Sequence, residues 1–298
     1  MMKKIKVWCY LNIDNPFVAW EVAIGRIASL EALPCLQDQE KRWFLTQWQY
    51  SRLKNAFYSN SLNKIPLKNE YKIEHIRHHY YPNKVSRLRG SFFFKSKEDA
   101  INIVTCYGWK GFNPNHLSEV ELYYNSDNDI SCYDSTWFSM KAMDIMHEDD
   151  IKSYLENVTY WGEGSNPATE ILAYGLGFVL NKALMQKAYN MIKARYPDAM
   201  CFLDSARFML TASKTLAENG TPNWSLYEAG IACGLNRMNA DGVNCDVIYI
   251  MRDESFKKYG LFQAGYPVKI RTPDFSDMSF SYQGGELNEI TREYLYNL

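Results

Sequence analysis

The chain has 298 residues, with 33 Lys+Arg against 34 Asp+Glu and a formal net charge of -1. That length makes one large domain or two modest ones with a real core, and 47% hydrophobic and 22% charged residues with only 10 Pro and 16 Gly exclude a disordered or fibrous chain. The balanced charge excludes a constitutive, non-specific nucleic-acid binder and leaves room for a local basic groove, while 22 Tyr and 8 Trp point to amphipathic rings lining a cleft or interface.

In chain order, residues 6–13 read as an opening strand. Residues 17–33 follow with apolar positions at Val18, Val22, Ile24 and Ile27, roughly helical in period. A second helical stretch is expected over 38–57 and a loop over 58–70, where Ser, Asn, Lys and Pro accumulate. Short strand-like runs then occupy 71–76, 91–95, 119–124, 171–172 and 178–180, punctuated by Gly, Asn and Asp. His147-Glu148-Asp149-Asp150 is an acidic helix start. From Asn181 the pattern changes: Leu184, Ala188 and Ile192 recur every four residues, an amphipathic helix ending before Pro197. A helix is expected over 201–216. A further one starts at Thr221-Pro222 and carries Tyr227, Ile231, Leu235 and Met238 on one face, followed by a strand over 247–251 and a polar tail from Thr272.

No apolar run reaches the roughly 18 residues of a transmembrane helix, and Met1-Met2-Lys3-Lys4 leads into a stretch too short and polar for a signal peptide. The expectation is a cytoplasmic protein with no membrane contact. The seven cysteines are odd in number and contain no C-x-x-C pair, so they are read as buried small hydrophobes and not as disulfides or metal ligands.

Two segments carry chemistry. In Trp161-Gly162-Glu163-Gly164-Ser165-Asn166-Pro167-Ala168-Thr169-Glu170-Ile171-Leu172, a carboxylate stands at the start of a strand behind a glycine-rich, aromatic-flanked loop. Glu163 offers a second carboxylate nearby. In Gly90-Ser91-Phe92-Phe93-Phe94-Lys95-Ser96-Lys97-Glu98-Asp99-Ala100, an aromatic strand stops and Ser96 caps a helix with Asp99 three positions on. Just upstream, Ser86-Arg87-Leu88-Arg89 follows a turn, and arginine presents a planar fork to phosphate oxygens.

Together these segments resemble the ADP-ribosyltransferase superfamily, as a bacterial or phage mono-ADP-ribosyltransferase-like member that is not arginine-specific. The resemblance spans residues 71–180. It implies an α+β fold: a short-stranded antiparallel two-sheet core over 1–180 that binds NAD, helical N-terminal and C-terminal additions, and a mainly helical portion over 181–298 packed on that core. It implies that Glu170 hydrogen-bonds the nicotinamide-ribose hydroxyls and stabilises the oxocarbenium-like transition state as nicotinamide leaves. Phe92 would stack on nicotinamide, Arg87 with Ser86 would meet the pyrophosphate, and Trp161 would line the cofactor pocket. NAD is then a substrate, no metal is needed, and the acceptor is a macromolecule, nucleic acid or protein. Such an enzyme serves as a toxin or phage-defence effector, with an antitoxin or regulatory protein as a possible partner.

The departures narrow the acceptor. Arginine-specific members carry Glu or Gln two residues before the catalytic glutamate, and Ala168 stands there instead. The first-strand Arg or His of the family is absent from Val7-Trp8-Cys9-Tyr10, leaving His78 or His79 for that role. The sequence has no phosphate-binding G-x-x-x-x-G-K-[ST] loop, no H-E-x-x-H and no G-x-S-x-G elbow. With water as acceptor the same site would be an NAD glycohydrolase. The alternative from another class is a non-catalytic interaction protein working through the helical region beyond residue 181.

Overall fold

The computed structural model describes residues 3–29, 64–107, 112–141, 144–162, 164–165, 167–197, 200, 203–204, 206–207 and 210, and the backbone of 235–238 and 246–249. In chain order the elements are β1 (Lys3–Tyr10), α1 (Pro16–Ile24), β2 (Arg26–Ala28), α2 (Lys64–Tyr80), β3 (Ser91–Phe94), α3 (Lys97–Tyr107), β4 (Leu117–Tyr124) and β5 (Ile130–Asp134). They continue with α4 (Thr136–Met140), α5 (Glu148–Leu155), β6 (Thr169–Ala173), β7 (Leu176–Val179), α6 (Lys182–Arg195), β8 (Leu235–Met238) and β9 (Asp246–Tyr249).

Strands β1 to β7 form one antiparallel seven-stranded sheet in the order β2-β7-β4-β1-β3-β6-β5. The α+β class expected from the sequence is what the chain adopts. The two-sheet core is not: among the described residues the core is a single sheet, and the second, two-stranded sheet β8-β9 lies far downstream. Leu235 and Met238, expected on a helix face, belong to that second sheet, while the strand expected over 247–251 is matched by β9.

Alternation along the strands explains the layers. Val7, Cys9, Phe93, Ile171 and Ala173 turn to one face, where α1 brings Trp20 and Ala23 and α6 brings Leu184, Ala188 and Ile192. On the other face Tyr133 and Leu172 meet Ile73 and Ile76 of α2, Phe138 of α4 and Tyr154 of α5, and Phe94 meets Ala100 and Ile103 of α3. The sheet is thus a middle layer between helices, and the Asn181-capped α6 shares the core of β1 to β7.

Two boundaries depart from the sequence pattern. The helix expected over 17–33 stops at Ile24, because Gly25 takes a left-handed φ of 104° and Arg26–Ala28 turns to pair with β7. Residues 71–76 are helix and not strand, and the same helix takes in 64–70 of the loop expected over 58–70. Their apolar alternation is real, but the buried stripe of α2 is completed by Glu70, Glu74 and Arg77, which a hydropathy pattern reads as surface. Cys9 is buried as expected, whereas Cys132 is exposed. The helices expected over 38–57 and from Thr221 to 234 lie outside the described residues, as do Cys35, Cys201, Cys233 and Cys245. Among the described residues no helix is long and apolar enough to cross a membrane.

Candidate active site

Glu170 is the second residue of β6. It stands opposite Phe94 of β3 on one side and Tyr133 of β5 on the other. Directly opposed residues of antiparallel strands share a face, so Glu119, Trp8, Phe94, Glu170 and Tyr133 form one cross-strand row. The two segments singled out in the sequence are therefore neighbours in the sheet. The strand order leaves nothing between them.

Arg87 reaches Glu170 from the turn between α2 and β3. Ser86, fully buried, ties that turn: its carbonyl accepts from the Arg89 and Gly90 N–H groups at 3.3 and 2.8 Å, and its hydroxyl accepts from the Leu88 N–H at 3.1 Å. The Ser86 N–H donates to the Tyr174 hydroxyl at 2.8 Å, and the Val85 N–H donates to Ser131 Oγ at 2.9 Å. The turn is thereby sewn to β5 and the β6 end, and the Arg87 side chain is directed inward.

Inside, the guanidinium uses both edges. Nε and Nη2 donate to the two carboxylate oxygens of Glu70 at 2.8 and 3.1 Å. Nη1 donates to the Tyr154 hydroxyl at 2.7 Å and to Glu170 Oε1 at 2.5 Å. Tyr154 in turn donates to the same Oε1 at 2.6 Å. The rings of Phe138, Phe92 and Tyr154 surround the cation, with centroids 4.6, 5.0 and 5.6 Å from its central carbon. Burial opposes the Arg87 charge, but Glu170 and Glu70 outweigh it and hold the group firmly protonated. Burial also raises the Tyr154 phenol well above its ordinary value, with Arg87 opposing and Glu170 reinforcing, so it stays a donor.

Two features of this cluster have chemical consequence. One cation sits between two carboxylates, an excess of one formal negative charge in a low-dielectric setting. Glu70 takes the bidentate edge and neutralises the guanidinium, while Glu170 is tethered through Oε1 alone. Among the described residues Glu170 Oε2 accepts no hydrogen bond, and the residue keeps 8% exposure. A fixed carboxylate with one open oxygen can accept a hydrogen bond from a ligand hydroxyl or face a developing cation.

Of the residues named from the sequence, Glu170, Arg87 and Phe92 meet in this cluster, and Ser86 stands behind it as the knot of the turn. The Arg87 fork engages carboxylates. Trp161 is 63% exposed and packs edge-on against Tyr160, which packs edge-on against Trp137, with centroids 4.8 Å apart at each step. His78 and His79 are exposed at the end of α2, with their rings edge-on to each other. Glu163 lies outside the described residues. Sequence reasoning missed Glu70, Tyr154 and Phe138. The spacing of Glu70, Glu74 and Arg77 at i, i+4 and i+7 was the available signal, one charged stripe on a helix. Glu74 and Arg77 pair at 2.9 and 3.0 Å, and Arg77 also donates to the carbonyls of Pro82 and Lys84, fixing the start of the Arg87 turn.

Among the described residues no group of three or more His, Cys, Asp or Glu is arranged to hold a metal ion. No protein-family model matches the chain, and no curated protein matches it at a significant level.

Proposed function

We propose that this chain cleaves the nicotinamide–ribose bond of NAD and transfers ADP-ribose to a macromolecular acceptor, as a mono-ADP-ribosyltransferase-like enzyme. The observation that carries the reading is the convergence of Glu170, Arg87 and Phe92 in one cluster, with Glu170 Oε2 open. In the proposed reaction the C1′–nitrogen bond breaks and its electron pair leaves with nicotinamide, which becomes neutral. The ribosyl group becomes an oxocarbenium-like cation. Glu170 Oε2 accepts a hydrogen bond from a ribose hydroxyl, and the excess negative charge of the cluster lowers the energy of that cation. An acceptor nucleophile then bonds to C1′ and releases its proton. Phe92, part-exposed on the same sheet face, offers its ring to nicotinamide. Arg87 and Tyr154 act as positioning residues through Oε1. The absence of a carboxylate at Ala168 directs the proposed acceptor away from arginine.

The test is nicotinamide release from NAD by the wild-type chain and by Glu170→Gln, with RNA, DNA or protein as acceptor. The expected result is a fall of about 10²–10³-fold in the variant, with label following one acceptor class. Glu170→Gln leaves the Arg87–Glu70 fork intact, so the variant stays folded. A second reading, a non-catalytic scaffold, is favoured by one observation: Arg87 and Glu70 are almost fully buried and satisfy each other. That reading expects no release from either protein.

A further inference from the structure

A separate cleft of about 550 Å³ opens at the end of β7, where α6 departs, with Trp8, Lys97, Asn115, Glu119, Asn181 and Lys187 in its lining. That volume falls within the range of about 300–1,000 Å³ typical of small-ligand sites. Its walls combine two chemistries. Trp8 presents a part-exposed indole with Lys97 Nζ 5.8 Å from the ring centroid. Lys97 and Lys187 are both exposed, and among the described residues neither has an ion pair with a carboxylate. The one acid in the named lining, Glu119, is already paired with Lys6 at 3.3 Å. The cleft therefore holds two uncompensated cations beside an aromatic face.

We infer that this cleft binds a nucleotide, the base stacked on Trp8 and the phosphate held by Lys97 and Lys187. Stacking on an indole is tolerant of base identity because every base has a π face, and two lysines supply point charges for phosphate oxygens. A purely apolar ligand would leave both ammonium groups without use, and inorganic phosphate would leave the indole without use. The shared chemistry, a base carrying a phosphate, comes either from a free nucleotide or from one unit of a single-stranded nucleic acid. Trp8 stands in the same cross-strand row as Glu170, two strands away, roughly 10 Å between Cα atoms. Between them Phe94 is buried against Ala100 and Ile103 of α3, so the cleft and the Glu170 cluster are separate sites. The binding itself does not depend on the proposed reaction.

The experiment measures binding of a fluorescein-labelled 12-nucleotide single strand, of AMP and of inorganic phosphate to the full chain at several salt concentrations. Wild type, Trp8→Ala, Trp8→Phe, Lys97→Ala/Lys187→Ala and Glu170→Gln are compared, with thermal melts to check folding. The expected result is binding of the oligonucleotide, of AMP or of both, more tightly than phosphate alone. Trp8→Ala weakens it five-fold or more while Trp8→Phe restores most of it. The double lysine variant weakens it and, for the oligonucleotide, reduces the slope of log K against log salt by about 1.4, the value for two single-strand phosphate contacts. Preference for AMP identifies a free nucleotide as the source, and preference for the oligonucleotide identifies a strand. Glu170→Gln binds like wild type, so nicotinamide release that is absent from the wild-type chain, or unchanged in Glu170→Gln, together with retained binding would refute the proposed reaction and not this site. No binding of either nucleotide probe, or binding that the Trp8 and lysine variants leave unchanged, overturns the inference.

Discussion

Arg87 decides the character of the Glu170 cluster. A buried cation shared by two carboxylates is stable only while both partners remain, because removing one member leaves an uncompensated charge. Arg87→Met leaves Glu70 and Glu170 buried with no cation and is expected to lower stability by about 3–5 kcal/mol in urea unfolding. Glu170→Gln retains the bidentate Glu70 pair and is expected to lose less than about 1.5 kcal/mol. Equal losses would contradict the assignment of Glu70 as the neutralising partner. Tyr154→Phe removes the donor to Oε1 and frees the carboxylate to turn. If Tyr154 positions the reactive group, kcat falls about ten-fold or more while KM moves less; a purely structural hydroxyl would lower Tm and leave kcat in place. The catalytic candidate Glu170 was legible from its place ahead of a short strand. Its partners were not, since Glu70 and Tyr154 are 100 and 16 residues away from it in sequence and only the packing of α2 and α5 brings them in.

At the scale of elements, α6 shows where sequence periodicity is sufficient. Its Leu184, Ala188 and Ile192 stripe is both the sequence signal and the buried face, capped by the Asn181 side chain accepting from the Leu184 N–H at 3.0 Å. Leu184→Ala is expected to lower stability by about 2–5 kcal/mol, read from the urea midpoint, because the cavity would open between α6 and the sheet. A change under about 0.5 kcal/mol would mean that α6 does not seal that face. The α2 helix shows the opposite case. Its inward stripe mixes Leu67, Ile73 and Ile76 with Glu70, Glu74 and Arg77. A charged residue counts as surface in any hydropathy pattern until its partner is known. At the β6–β7 turn the constraint is steric and local: a Cβ on Gly175 would collide with the carbonyl oxygen of Tyr123, so the glycine is required by close approach of β4.

At the scale of the whole molecule, the helical layers create buried polar positions whose ionisation couples to unfolding. His116 closes a short turn before β4 and is almost fully buried with no partner for Nδ1 among the described residues. Burial pushes its imidazole below the ordinary value; Asp14 opposes this and Lys187 reinforces it. The unfolded chain then binds more protons than the folded one below about pH 6.5, so this contribution to stability is complete above that pH and is lost as pH falls below it. Urea unfolding at pH 5 and 7 should show a smaller loss for His116→Gln than for wild type. Identical pH slopes would exclude His116 as a contributor.

The sequence by itself determined the α+β class, the amphipathic α6, the Ser96 and His147 helix starts, and the two short segments around Phe92 and Glu170. These are local signals, written in neighbouring residues through periodicity and capping. Only the tertiary structure decided that those segments are adjacent strands of one sheet, that a charged stripe of α2 is its buried face, and that Arg87 turns toward carboxylates. Strand order and ion pairing join residues far apart in the chain. Their energy depends on which partner arrives, a property that no single stretch of sequence carries.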